Sequence, residues 1–132
     1  MGLDMYLNKD IYIGAYFQHR KVEADIKIVI EGKEISINPS QIETITERIG
    51  YWRKAHHIHE WIVENIQDGV DECQKTYIST KNLADLADFC NDYIDENPTG
   101  ANSDDCQYTL DLLETIQEDK TGDTQIFYQS SW

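Results

Sequence analysis

A single α+β domain is the fold this sequence predicts, and three observations carry that reading. Apolar alternation of period two fills the first 38 residues, the period changes to three or four after Asn38, and a strand-like run returns over Gln125–Gln129. Strands and helices mix without the regular alternation of a parallel sheet. With 132 residues, 40% of them hydrophobic, the chain can build one modest core but not two. Residues 1–132 are therefore one domain: a small antiparallel sheet covered by three or four helices. The sheet is assembled from N-terminal strands, a hairpin over 25–38 and a C-terminal strand.

The elements follow in order. Leu3, Met5 and Leu7 alternate with Asp4 and Tyr6 as a strand, and Ile11 to Phe17 continues the β-rich pattern, broken at Gly14. Ile26, Ile28 and Ile30, a turn at Glu31–Glu34, and Ile35 and Ile37 form the clearest hairpin, expected to pair with a terminal strand. Asn38-Pro39-Ser40-Gln41 reads as a helix start, because Asn38 can cap and Pro39 suits the first turn. Ile42, Ile45, Ile49 and Trp52 then recur at helical spacing. Gly50 separates that helix from a second, whose apolar line is Trp52, Ala55, His59, Ile62 and Ile66 and which ends at Gly69. After a polar loop, Thr76–Ile78 is a short strand. Ser79 or Thr80 caps a helix to about Asn97, with Leu83, Leu86, Ala87, Cys90, Tyr93 and Ile94 on one side. Asn97-Pro98-Thr99-Gly100 ends it, and Asn102-Ser103-Asp104 is a loop and cap. Tyr108, Leu112, Leu113 and Ile116 mark a last helix. Lys120-Thr121-Gly122-Asp123 turns into the final strand, and the terminal Trp132 is expected to pack.

Composition excludes several classes. No apolar run is long enough for a membrane span, and the start lacks the basic and apolar regions of a signal peptide. The three cysteines, Cys73, Cys90 and Cys106, are odd in number and widely spaced, which favours reduced thiols in a cytosol and speaks against zinc. A net charge of -14 repels nucleic acid, so direct DNA or RNA binding is disfavoured. The acids crowd the second half of the chain. Asp85, Asp88, Asp92 and Asp95 form an acidic face that serves either solubility or imitation of a polyanion.

Functional chemistry concentrates around Gly50–Gly69. Tyr51, Trp52, Arg53 and Lys54 open the expected second helix, where free backbone N–H groups and cationic side chains suit an anionic, planar ligand. His59 and the terminal Ser130, Ser131 and Trp132 would close such a site. The competing reading makes Trp52 and Trp61 core and pairs Arg53 internally. His56, His57 and His59 lack companion ligands, so no metal is expected. No nucleophile set or phosphate-cradling glycine loop is evident, so no catalytic residue and no cofactor is assigned.

The strings Met1-Gly2-Leu3-Asp4-Met5-Tyr6-Leu7, Gly50-Tyr51-Trp52-Arg53-Lys54-Ala55 with Ile58-His59 and Trp61, Val63 to Cys73, and Phe127-Tyr128-Gln129-Ser130-Ser131-Trp132 resemble a family of small acidic proteins of bacteriophages and prophages. The similarity touches both ends and the middle of the chain. It implies a protein acting in the cytoplasm of a bacterial host, and supplies no mechanism. By analogy with other small phage proteins, the expected function is non-catalytic counter-defence. One form sequesters a small anionic, nucleotide-type signal or inhibits a host defence protein. The alternative is an acidic nucleic-acid mimic blocking a basic host protein, and a third is an enzyme degrading such a signal. A homo-oligomer is compatible with all three.

Overall fold

The structure, a computed structural model, describes residues 2–13, 27–38, 41–116 and 124–132. The fold is α+β. Its elements are β1 (Asp4–Tyr12), β2 (Ile28–Ile30), β3 (Lys33–Ile35), β4 (Thr44–Arg53), α1 (His56–Asn65), β5 (Thr76–Ile78), α2 (Thr80–Glu96), α3 (Ala101–Thr115) and β6 (Thr124–Ser131). The main sheet has the order β4-β1-β6-β5, antiparallel throughout. Expectations for Ile26, for the strand beyond Gly14, for Pro39-Ser40 and for the turn at Lys120–Asp123 lie outside the described residues.

Side chains of paired residues share a sheet face, so the register sorts the two surfaces. Trp52, Met5 and Ser130 form one row; Gly50, Leu7, Tyr128 and Thr76 form the next. Nearly every member is buried, and they join Ile58 and Ile62 of α1, Leu86 and Cys90 of α2, and Cys106 and Leu112 of α3 in one core. The helices therefore cover this face. The reverse face carries Tyr51, Tyr6 and Gln129 in one row and Arg48, Asn8, Phe127 and Tyr77 in another. It is held by its own pairings. Arg48 lies 4.3 Å over the Tyr6 ring, Tyr51 Oη donates to Asp4 Oδ1 at 2.5 Å, and Lys75 Nζ donates to Asp10 Oδ2 at 3.1 Å.

Several expectations hold. Ser79 caps α2, its hydroxyl accepting from the Asn82 N–H at 3.1 Å, and α2 buries the expected Leu86 and Cys90. The strands at Thr76–Ile78 and at the C-terminal end form as read. Asn102-Ser103-Asp104 differs, lying inside α3, which begins after Gly100 at φ 117°, a conformation open to glycine.

Two corrections matter more. The hairpin forms, with Ile28 opposite Ile35, but as a separate two-stranded sheet rather than beside a terminal strand. The helix expected from Ile42 and the opening of the next are instead one strand, β4. The spacing misled because β4 is bulged. Its register slips between Leu7–Gly50 and Asn8–Arg48, leaving Ile49 unmatched. Ile45 and Trp52, seven apart, would take opposite faces of a regular strand; the extra residue returns both to the helix side.

Gly50 sits where α3 comes closest. A Cβ there would overlap Leu112 Cδ2, while meeting Leu7 and Trp52 at ordinary contact distance. Gly50→Val is expected to destabilise the protein by about 1–3 kcal/mol through overpacking, read as a lower urea midpoint. Adding Leu112→Ala opens space for the new side chain, so the double variant should lose less than the two single losses added together. Strict additivity would show that the approach at Gly50 does not set the position of α3.

Candidate functional site

The expected ligand cluster is divided by the strand that replaces its helix. Successive strand residues point to opposite faces. Trp52 is 3% exposed and faces the helices, where its Nε1–H donates to Thr109 Oγ1 at 2.8 Å. Tyr51 lies exposed on the reverse face against Tyr6, so the two rings cannot stack on one base. Arg53, exposed, ends β4 opposite Asp4, and Ser131 stands on the other side of Asp4. Lys54 turns the corner at φ 57°, its N–H donating to Leu3 O at 2.8 Å. The helix itself starts at His56 with Ala55 as an uncapped N-cap, so the free N–H groups lie one turn beyond Arg53.

Two of the expected residues, His59 and Trp132, meet elsewhere, around two that sequence reasoning missed, while Ser130 is buried beside Met5 on the helix side of β6. Tyr128 is fully buried and its phenol lies 2.6 Å from His59 Nδ1. On the other side of the ring, His59 Nε2 approaches Asp71 Oδ2 at 3.0 Å, close but not aligned as a hydrogen bond. Asp71 Oδ1 accepts from Trp132 Nε1 at 3.0 Å. Trp132 is 56% exposed, so it is tethered by its N–H rather than packed as expected. Burial pushes the Tyr128 phenol far above its ordinary range, and the Asp71 carboxylate adds to that. The Tyr128 hydroxyl and His59 Nδ1 thus form a buried hydrogen-bonded pair, withdrawn from solvent. The signal was present in the sequence: Ile126, Tyr128 and Ser130 share the inward phase of β6, and a buried phenol needs a partner.

No known protein family, curated protein or solved structure matches this chain.

A second polar cluster joins the three helices. His57 Nε2 lies 3.0 Å from Asn102 O and 3.5 Å from Cys106 Sγ, and Cys106 faces Cys90. Burial raises both thiols and lowers the His57 imidazole, so the cluster is neutral and unreactive. Among the described residues, no three His, Cys, Asp or Glu side chains are placed to share a metal ion.

The larger of the two main cavities, about 1040 Å³, lies between α2, α3 and the β5–β6 end of the sheet. Its walls include Leu83, Ala87, Leu110 and Ile126, with Asn91, Gln107 and Gln125 at the opening. The smaller, about 180 Å³, adjoins Lys9, Glu47 and Ile49. Neither is lined by any of the eight residues of the expected ligand cluster.

Charge is the third feature. Residues 56–116, the helices and their connections, hold fourteen carboxylates against Lys75 and Lys81. Asp85 is bound to Lys81 at 2.7 Å, while Asp88, Asp92 and Asp95 stand exposed along α2. Among the described residues none of the latter three is in an ion pair.

Two outcomes follow. Tyr128→Phe leaves His59 Nδ1 without its partner and should cost about 1–3 kcal/mol in chemical denaturation. Adding His59→Leu should cost less than the sum of the separate changes; a purely additive pair would mean that the two side chains do not act together. Native protein should also release one thiol, Cys73, quickly to a disulfide reagent, with Cys90 and Cys106 reacting only on unfolding. Rapid labelling of all three would contradict the burial of the α2–α3 pair.

Proposed function

We propose that this chain is a non-catalytic binding protein whose acidic helical layer occupies a basic, nucleic-acid-handling partner. One observation carries the reading: almost the whole net charge of -14 resides in residues 56–116, on the helix side of the molecule. Along α2 the carboxylates of Asp85, Asp88, Asp92 and Asp95 fall at intervals of three and four residues, about 15 Å in all. That is roughly one negative charge per 5 Å, the same order as the 3.4 Å between phosphates along one DNA strand. A surface built for contact with phosphate-binding cations presents charge at such a density.

The resemblance to small acidic phage proteins makes a bacterial defence protein the class of partner to test. The sequestration of a small anionic signal has less support, because Tyr51, Trp52, Arg53 and Lys54 lie on different faces and border neither main cavity. An enzyme has less again, since His59, Cys90, Cys106 and Tyr128 are withdrawn from solvent. No helix among the described residues is long and apolar enough to cross a membrane.

The experiment is retention of purified basic nucleic-acid-binding proteins of a bacterial host on immobilised chain, across a salt series and with duplex DNA as competitor. Retention should fall steeply with salt, yield to the DNA, and drop by about tenfold or more when Asp85, Asp88, Asp92 and Asp95 are all changed to Lys. Retention of none of these proteins at low salt would remove the proposal. Calorimetric heat from a cyclic nucleotide, abolished by Arg53→Ala, would favour the small-anion reading instead.

A further inference from the structure

We infer that the groove between α2, α3 and the β5–β6 edge is the docking site for a basic amphipathic helix of that partner. The inference rests on the proposed acidic binding surface and specifies what the surface grips.

The groove is apolar where it is deepest and acidic at its borders. Ile78, Leu83, Ala87, Leu110, Leu113 and Ile126 line about 1040 Å³ that the described residues leave unfilled. Leu83, Leu110, Leu113 and Ile126 are only partly buried against the core. On a helix, residues four apart are surface neighbours. Asp88 therefore lies one turn from Ala84, and Asp95 one turn from Asn91, both of which line the groove. Across from them, Glu114 lines the groove directly, and Asp111 stands one turn from Gln107, which bonds it at 3.0 Å. All four carboxylates are on exposed residues. An apolar trough with carboxylates on both banks fits a helix with one apolar stripe flanked by Lys and Arg.

Length agrees with that occupant. The α2 wall runs from Thr80 to Asn91, about 16 Å, or three helical turns. The trough lies between two packed helices and a sheet edge, where a third helix adds to the layer by ordinary ridge-and-groove packing. A duplex nucleic acid or a free anion would meet mostly like charge at these banks, Lys81 being already paired with Asp85.

The test uses the full chain and three synthetic peptides of about 12 residues, the length of the α2 wall. The first is a helix former with leucines spaced to make one stripe and Lys or Arg elsewhere. The second has the same composition with the leucines scattered round the helix, and the third keeps the stripe but replaces the cations by Glu. Anisotropy should show the first binding about tenfold or more tighter than the second, with the third not bound. Amide NMR shifts should centre on Ala84, Asn91, Leu110 and Gln125. Ala84→Arg, at an exposed site, should weaken the first peptide without altering the fold, and Asp88→Lys with Asp95→Lys should weaken it and flatten its salt dependence. Equal binding of the first two peptides, or shifts centred on the reverse face of the sheet, would overturn the groove and leave the acidic surface standing. No binding of the first peptide, with basic proteins still retained, would also overturn the groove alone. Loss of both would overturn the two together.

Discussion

Leu112 of α3 settles over a strand residue that has no side chain, and the arrangement of the helical layer follows from that approach. Gly50 lies in the same row as Leu7 and Tyr128, so the slot it leaves opens onto the middle of the core. The indole N–H of Trp52 reaches Thr109, one turn before Leu112, and fixes the rotation of α3. α2 then packs on α3 around Cys90 and Cys106, and α1 meets α2 through the stacked rings of Trp61 and Phe89. The smallest residue of β4 is thus the one on which the largest elements are positioned.

The sheet and helices draw on different chemistry. On the reverse face, cations are engaged locally: Arg48 over Tyr6, and Lys75 between Asp10 and the Phe127 ring, 3.9 Å from its centre. Within that face the aromatic rings and charges pair with one another, and Phe127 and Asp10 are buried there. The helices have only Lys81 within their own spans and leave their carboxylates facing water. Mutual repulsion among those acids opposes compaction, and the aromatic and aliphatic core outweighs it.

Much of the fold was legible in the residues. A period-two run located β1, short strand-like segments located β5 and β6, and Ser79 with the line Leu83 to Ile94 located α2. The hairpin's separate sheet, the start of α3 and the exposed Trp132 were smaller failures. The one with the widest effect was at β4. Its Ile45, Ile49 and Trp52 imitate a helical stripe because a bulge shifts the phase of the strand, and single-sequence periodicity cannot register an extra residue. Thr44, Thr46 and Tyr51 were the counter-signal, being residues that favour strands. The error spread to the site. Treating Tyr51 to Lys54 as a helical turn brought four side chains to one end of a helix that the strand distributes over two faces and a corner. His59 and Trp132, assigned to that same helix-end site, are instead linked through Asp71, which was hidden in an acidic loop with nothing local to mark it.

The place of β6 has a consequence for how the chain is made. It lies between β1 and β5, so each of them gains its β6 neighbour only after residues 124–131 exist. Asp4 waits for Ser131, nearly the whole length of the sequence away. At synthesis rates of about 5–20 residues per second, that wait is on the order of ten seconds on the ribosome. During it, Met5 and Leu7 have only β4 beside them, and the α2–α3 pair, whose contacts are local, can already be formed. High contact order in the sheet and low contact order in the helices thus split the folding of one small domain into an early and a late half. The late half is completed by the strand that carries Tyr128.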